Sequence, residues 1–224
     1  MAGTGTGTKI ISLSAGYNSA TDIANLALAR IGAERINDID ADTSVQAIHC
    51  RLIYEPDRKS LLRSYWWPFA ARRAKLARSI TTPVCEYSYQ YALPNDFLAL
   101  RSIWDSDGQG LGANFRETCA IEGPFILTDN AEMYIRYTAD ITDTTKFDPL
   151  FIQCLKTRMA LDLLYALSKT SAVGAADRLQ MELDQLLVKA KMMGLQEQNL
   201  IGRNERRTWL DARLSGFNPA NLGS

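Results

Sequence analysis

The chain has 224 residues, 46% of them apolar and 22% charged, with 25 Lys plus Arg balanced against 25 Asp plus Glu. That is enough chain to bury a real core, and zero net charge excludes a global field drawing it onto nucleic acid or an anionic membrane. No run approaches the ~20 apolar residues of a membrane span, and the opening stretch MAGTGTGTKIISLS lacks the basic start and apolar stretch of a secretory leader.

Residues 1–18 are rich in Gly and Thr and read as an extended arm. The G-T-G-T-G alternation follows no predicted strand and lacks the G-K-[ST] ending of a phosphate loop. A helix is predicted from Ser19, with Asp22 as capping partner, Ile23, Leu26, Ala27 and Ile31 on one face, and Gly32 as the stop. A second helical stretch runs from about Thr43 to Ser64. Val45, Ile48 and Leu52 share its apolar face, Leu61 and Leu62 resume the pattern, and Pro56 predicts a kink or a break. Next comes RSYWWPFAARRAKLARS (63–79), read as a turn at Pro68 followed by a short helix.

The middle of the chain changes period. In CEYSYQYAL, Tyr87, Tyr89, Tyr91 and Leu93 alternate with Glu86, Ser88 and Gln90, the pattern of a strand with one buried face. Pro94-Asn95-Asp96 reads as a turn, 97–104 as a strand and 106–114 as a flexible loop. Strands near 116–121, 124–128 and 132–138 complete a small antiparallel sheet, with Met133, Ile135 and Tyr137 facing one way. Helices then return. Asp148-Pro149 opens one that is apolar nearly all round to Leu167 and therefore centrally buried. Residues 168–170 suit a tight helix hairpin. A last helix from Ser171 to about Gln196 carries Ala172, Ala176, Leu179, Leu183, Leu186, Leu187 and Ala190 along one stripe.

The predicted class is α+β: a helical bundle built from both ends of the chain with an inserted small antiparallel β domain. The boundaries read as an arm at 1–18, a helical domain at 19–81 and 146–199, the β insertion at 82–145, and a C-terminal segment at 200–224.

Chemistry is sparse. His49 is the only histidine and falls mid-helix among apolar neighbours without a partner for acid–base work. Cys50, Cys85, Cys119 and Cys154 form no C-x-x-C pair, which argues against zinc, and a reduced cytosolic setting during synthesis is expected. Their spacing of 34 or 35 residues is no repeat, because the flanking sequences share nothing. Asp140, Asp143 and Asp148 lack ligand spacing and read as loop solvation and an N-cap. No Walker, Rossmann, G-x-S-x-G or H-E-x-x-H pattern is present. The expectation is a protein that is not an enzyme, with no catalytic residue, cofactor or metal.

The segment from Arg51 to Arg78 holds eight cations against Glu55 and Asp57. Interleaved aromatics and cations raise the alternative of a nucleic-acid-binding protein using residues 51–78. Against it, Tyr65, Trp66, Trp67, Pro68 and Phe69 carry an apolar load that suits a buried plug. Trp67, Phe69, Tyr91, Leu93 and Phe97 are the expected structural core of this region.

Four segments occur in a telling order: NLALARIGAERI (25–36), LIYEPDRKSLLRSYWWPFAARRAKLAR (52–78), YQYALPNDFLALRSIW (89–104) and DPLFIQCLKTRMALDLLYAL (148–167). Together they resemble the tail tubular protein A, or head-to-tail adaptor, family of short-tailed bacteriophages, over residues 20 to about 195. The most specific motifs are W-x-F-A, here Trp67 to Ala70, and Y-x-L-P-x-D-F, here Tyr91 to Phe97. The resemblance implies a structural virion protein of the tail or neck, assembled in the host cytoplasm. Its implied form is a homo-oligomer, a dodecameric ring between the portal protein and the tail nozzle protein, with tail fibres as a further partner. Double-stranded DNA passes through such a ring without specific binding, and no membrane is involved. Cations beside the aromatic plug are expected to meet acidic residues of adjacent subunits or the portal. The C-terminal segment, with Arg203, Arg206, Arg207, Trp209, Leu210, Arg213 and Leu214, reads as a docking arm for the portal or a neighbouring subunit, since it has too small an apolar stripe to fold alone.

Overall fold

The computed structural model describes residues 19–104, 119–167 and 173–202. Among them are four α-helices and two three-stranded antiparallel sheets, a mixed α+β fold. Helix α1 (Ala20–Arg30) starts where Ser19 Oγ accepts the Asp22 amide at 3.0 Å, and it stops before Gly32, whose φ of 70° is cheap only for glycine. Helix α2 (Val45–Ser64) is capped by Ser44 and runs unbroken through Pro56. The expected break is absent for a physical reason. Pro56 denies a donor to the Leu52 carbonyl, and both residues lie on the exposed side, where water serves instead.

The apolar face expected of α2 is corrected by the structure. Val45, Ile48 and Leu52 are exposed, while Ala47, Cys50, Tyr54, Asp57, Arg58, Leu61 and Leu62 point inward. Two ionisable residues sit on the buried side, so an apolar count along α2 selects the wrong face.

A second correction follows α2. Pro68–Ala70 forms one 3-10 turn, and Ala71–Lys75 is strand β1 rather than a helix. Strand β1 pairs with β6 (Tyr134–Ala139), which also pairs with β3 (Phe97–Trp104), giving the order β1-β6-β3. Sheet structure therefore begins at residue 71, inside the stretch read as helical. The other sheet has the order β2-β5-β4, from Tyr89–Ala92, Phe125–Thr128 and Cys119–Glu122. Strand β2 is shorter than its alternation suggests, because Glu86 takes a φ of 66° and ends extended backbone ahead of it. Met133, Ile135 and Tyr137 are buried together.

Helix α3 (Pro149–Leu167) packs against α1, α2 and α4 (Val173–Gly202), as expected of a helix apolar on most sides. Along α4, Ala176, Leu183 and Ala190 are buried and Leu179, Leu186 and Leu187 half-buried. The loop expected at 106–114, the hairpin at 168–170, the arm at 1–18 and Ala172 lie outside the described residues. None of the described helices is long and apolar enough to cross a membrane.

Candidate functional site

The aromatic run splits between two environments. Trp67 is only 2% exposed; its ring meets Phe151 edge-on at 5.0 Å and Tyr65 at 5.3 Å, and its indole Nε1 donates to the Leu61 carbonyl at 3.0 Å. Half-buried Phe69 joins Phe147 and Phe151 on the other side of this cluster. The plug thus bolts the start of α3 to the end of α2. Trp66 turns away. It is half-buried beneath the Arg136 guanidinium, 4.2 Å from its ring centroid, with Nε1 buried and without a partner among the described residues. Of the remaining expected core residues, Tyr91 is buried, while Leu93 and Phe97 are half-buried.

The cations of residues 51–78 are largely engaged within the chain. Arg51 donates to the carbonyls of Ile39, Asp40 and Asp42, clamping the loop before α2. Arg58 is fully buried and bonds Glu55, Asp140 and the Ile141 carbonyl. Burial works against its charge, but its hydrogen bonds to the Glu55 and Asp140 carboxylates outweigh that and raise its pKa. Lys59 lies 3.5 Å from Asp140, Arg72 2.6 Å from Asp96, and Lys75 2.9 Å from Glu132. Arg78 stacks over the Tyr89 ring at 4.0 Å. A groove built to track phosphates needs its cations available. Here at least six of the eight already have partners inside the fold.

Two anchors escaped sequence reasoning. Arg101 on β3 donates to the carbonyls of Leu62, Arg63 and Tyr65, at 3.3, 3.1 and 2.8 Å, and to Thr138 Oγ1 at 2.7 Å. A cation therefore closes the carbonyl end of α2, where the helix dipole favours it. Burial, and then the charge of Arg63, lowers its pKa. The second anchor is Asp96, which receives Arg72, the Tyr137 hydroxyl and, on its carbonyl, the Asp140 amide. The Y-x-L-P-x-D-F motif could have flagged it, since a carboxylate in a tight turn commonly ties neighbouring strands.

The acidic residues divide by role. Asp148 Oδ1 caps α3 through the Leu150 amide at 2.7 Å, Asp143 caps the 3-10 turn Thr144–Lys146, and Asp140 serves Arg58 and Lys59. Asp57 is unusual. It is buried between α2 and α3, receives Arg158 Nε on one oxygen at 3.0 Å, and has a buried second oxygen without a partner among the described residues. Burial, reinforced by Asp162 and only partly offset by Arg158, pushes its pKa up to about 6. Among the described residues no three His, Cys, Asp or Glu side chains converge on a possible metal position. His49 is half-buried on α2. All four cysteines are free thiols; burial pushes Cys50 up to about 11 and Cys154 to about 12, while Cys85 is exposed.

Several large apolar side chains remain uncovered. Val45, Ile48 and Leu52 form a stripe on α2, and Met181, Val188 and Met192 another on α4. Ile80 and Val84 are fully exposed in the loop before β2. Residues this large are exposed singly in most proteins, whereas stripes at helical spacing mark contact surfaces. The docking residues read from the sequence, Arg203, Arg206, Arg207, Trp209, Leu210, Arg213 and Leu214, lie outside the described residues. No protein-family model matches this chain, and a search of curated proteins returns no match.

Proposed function

We propose that this protein is a structural subunit of a bacteriophage neck, a head-to-tail adaptor whose copies form a ring between portal and tail nozzle and continue the DNA channel. The four helices are read as one bundle closed from both ends of the chain around α3, with the sheets as its inserted β part. The observation that carries the reading is the pair of uncovered apolar stripes on α2 and α4, in a chain whose cationic segment is mostly paired internally. Such a molecule is equipped to associate through apolar faces and poorly equipped to retain DNA. The ordered resemblance of 25–36, 52–78, 89–104 and 148–167 to the adaptor family supports the same reading and supplies the identity of the partners. In the fold those segments cooperate: the W-x-F-A motif supplies the plug that receives Phe147 and Phe151.

The C-terminal segment, residues 200–224, is read as the docking arm, since Trp and Arg are the side chains that most often anchor interfaces and weak contacts sum around a ring. Electron microscopy of the full chain mixed with purified portal is the test. Stacked rings are the expected image, and portal particles without added density overturn the reading. Removing residues 200–224 should abolish the stacking while leaving the melting temperature of the subunit nearly unchanged.

A further inference from the structure

We infer that two different patches of this fold are complementary, so that the loop at 79–88 of one copy inserts into the groove lined by β3 and β4 of the next. The inference deepens the ring reading and rests on it for the expectation that copies associate.

The loop is built as a probe. Ile80 and Val84 stand wholly in solvent. Its base is tied down: Ser79 N donates to the Gln90 carbonyl at 2.9 Å, and Ser88 N and Oγ both reach Asp129 Oδ1 at 2.9 Å. Inside the loop, Thr81 N bonds Ser79 Oγ and Tyr87 N bonds the Cys85 carbonyl. Two apolar tips on a pinned loop lose little conformational freedom when a partner covers them. Glu86, exposed beside them, supplies a negative charge.

The groove has the matching properties. A cavity of about 700 Å³ is lined by Phe97, Leu98, Leu100, Cys119 and Ile121, with exposed Arg63 at its rim. Close by, Arg101 spends its hydrogen bonds on carbonyls and a threonine, and burial, then the charge of Arg63, lowers its pKa. Among the described residues neither arginine has a carboxylate partner. A slot lined by both apolar and polar surface, with the positive charge of Arg63 at its mouth, suits a loop tip that joins apolar side chains to a glutamate.

Probe and slot are different patches of the chain. In one sheet Tyr89 pairs with Thr128 beside the loop, and the groove residue Cys119 pairs with the same Thr128, so the slot runs along β4 from that end. In the other sheet Lys75, leading to the loop, faces Tyr134, while the groove residue Phe97 faces Ala139 at the far end. Different patches that complement one another propagate from copy to copy, and they close into a ring when the rotation allows.

Complementary defective variants of the full chain test this by sedimentation velocity. The wild-type protein is expected to form species heavier than one chain as its concentration rises. Ile80→Asp/Val84→Asp keeps the groove but spoils the loop, and Arg63→Glu/Ile121→Asp keeps the loop but spoils the groove. Each variant alone should sediment as a single chain with an unchanged melting temperature, and an equimolar mixture should give a pair and nothing larger. Charge exchange is the second arm: Arg63→Glu alone should weaken association about tenfold or more, and adding Glu86→Arg should restore it. A single-chain wild type, a loop variant that still assembles, a mixture that stays unpaired, or a failed rescue each overturns the inference. Portal imaging decides the adaptor reading separately. Rings of the loop variant on portal would sink this contact alone, and pairing in solution without portal stacking would sink the adaptor alone.

Discussion

Replacing Trp67 by alanine probes whether the aromatic–cationic segment is a core or a platform for bases. Emptying a buried large aromatic site costs about 3–5 kcal/mol, and the indole at Trp67 is nearly solvent-free between Phe151 and Tyr65. The variant also removes one of two side-chain donors to the Leu61 carbonyl at the end of α2, the Ser64 hydroxyl being the other, a loss of about 1 kcal/mol at most. For a chain of this size each kcal/mol moves the melting temperature by roughly 2–4 °C, so Trp67→Ala should melt about 6–20 °C lower. Trp67→Phe separates the contributions. It keeps a ring against Phe151 and loses the indole donor, and should cost about 1–2 kcal/mol. Trp66→Ala is the internal control, because half-buried Trp66 only underlies Arg136, and a loss below about 2 kcal/mol is expected there. Urea and thermal melts should be read beside a DNA mobility-shift assay. A Trp67→Ala protein that melts like wild type but loses DNA binding would refute the core argument and favour base stacking.

Further expectations concern charge and close approach. Asp57, raised from its ordinary 3.8 to about 6, keeps its proton in the folded chain over a window where the unfolded chain has lost it. Its contribution to stability is therefore present at low pH and declines as pH rises from about 4 through about 6, by up to roughly 3 kcal/mol. Asp57→Asn should remove that decline relative to wild type, and parallel stability–pH curves for the two proteins would refute the assignment; Arg158 and Asp162 are the charged groups that face it. Arg58→Ala should cost about 3–5 kcal/mol by denaturant melts, since it strips a fully buried cation from Asp140, Glu55 and the Ile141 carbonyl. A Cβ on Gly194 would stand 2.2 Å from the Tyr65 hydroxyl, which donates to the Lys191 carbonyl. Gly194→Ala should thus destabilise despite the better helix propensity of alanine, and Tyr65→Phe in the same chain should recover part of the loss; additive melts would show that the two do not couple. DNA binding by the isolated chain should be weak and sequence-blind and vanish near physiological salt, measurable by fluorescence anisotropy across a salt series.

The sequence by itself determined what short-range physics controls. Ser19 and Gly32 bracket α1 because a cap and a left-handed residue act within a turn of the helix. Met133, Ile135 and Tyr137 declared the inner face of β6 by alternation, and α3 declared its central place by being apolar on most sides. Tertiary structure decided the rest. ARRAK has no alternation to reveal a strand and becomes β1 because β6 offers it a free edge to pair with. The inward face of α2 could not be read from its apolar residues, since Arg58 is buried by Asp140 and Ile141, more than eighty positions away in the chain. The same distance hid the state of the cationic segment. Counting charges shows eight cations and two acids between Arg51 and Arg78, whereas the answering groups, Asp96, Glu132 and Asp140, arrive on the sheets. Local periodicity fixes which backbone a residue prefers, but whether a charge stays available to a partner depends on what the fold brings beside it.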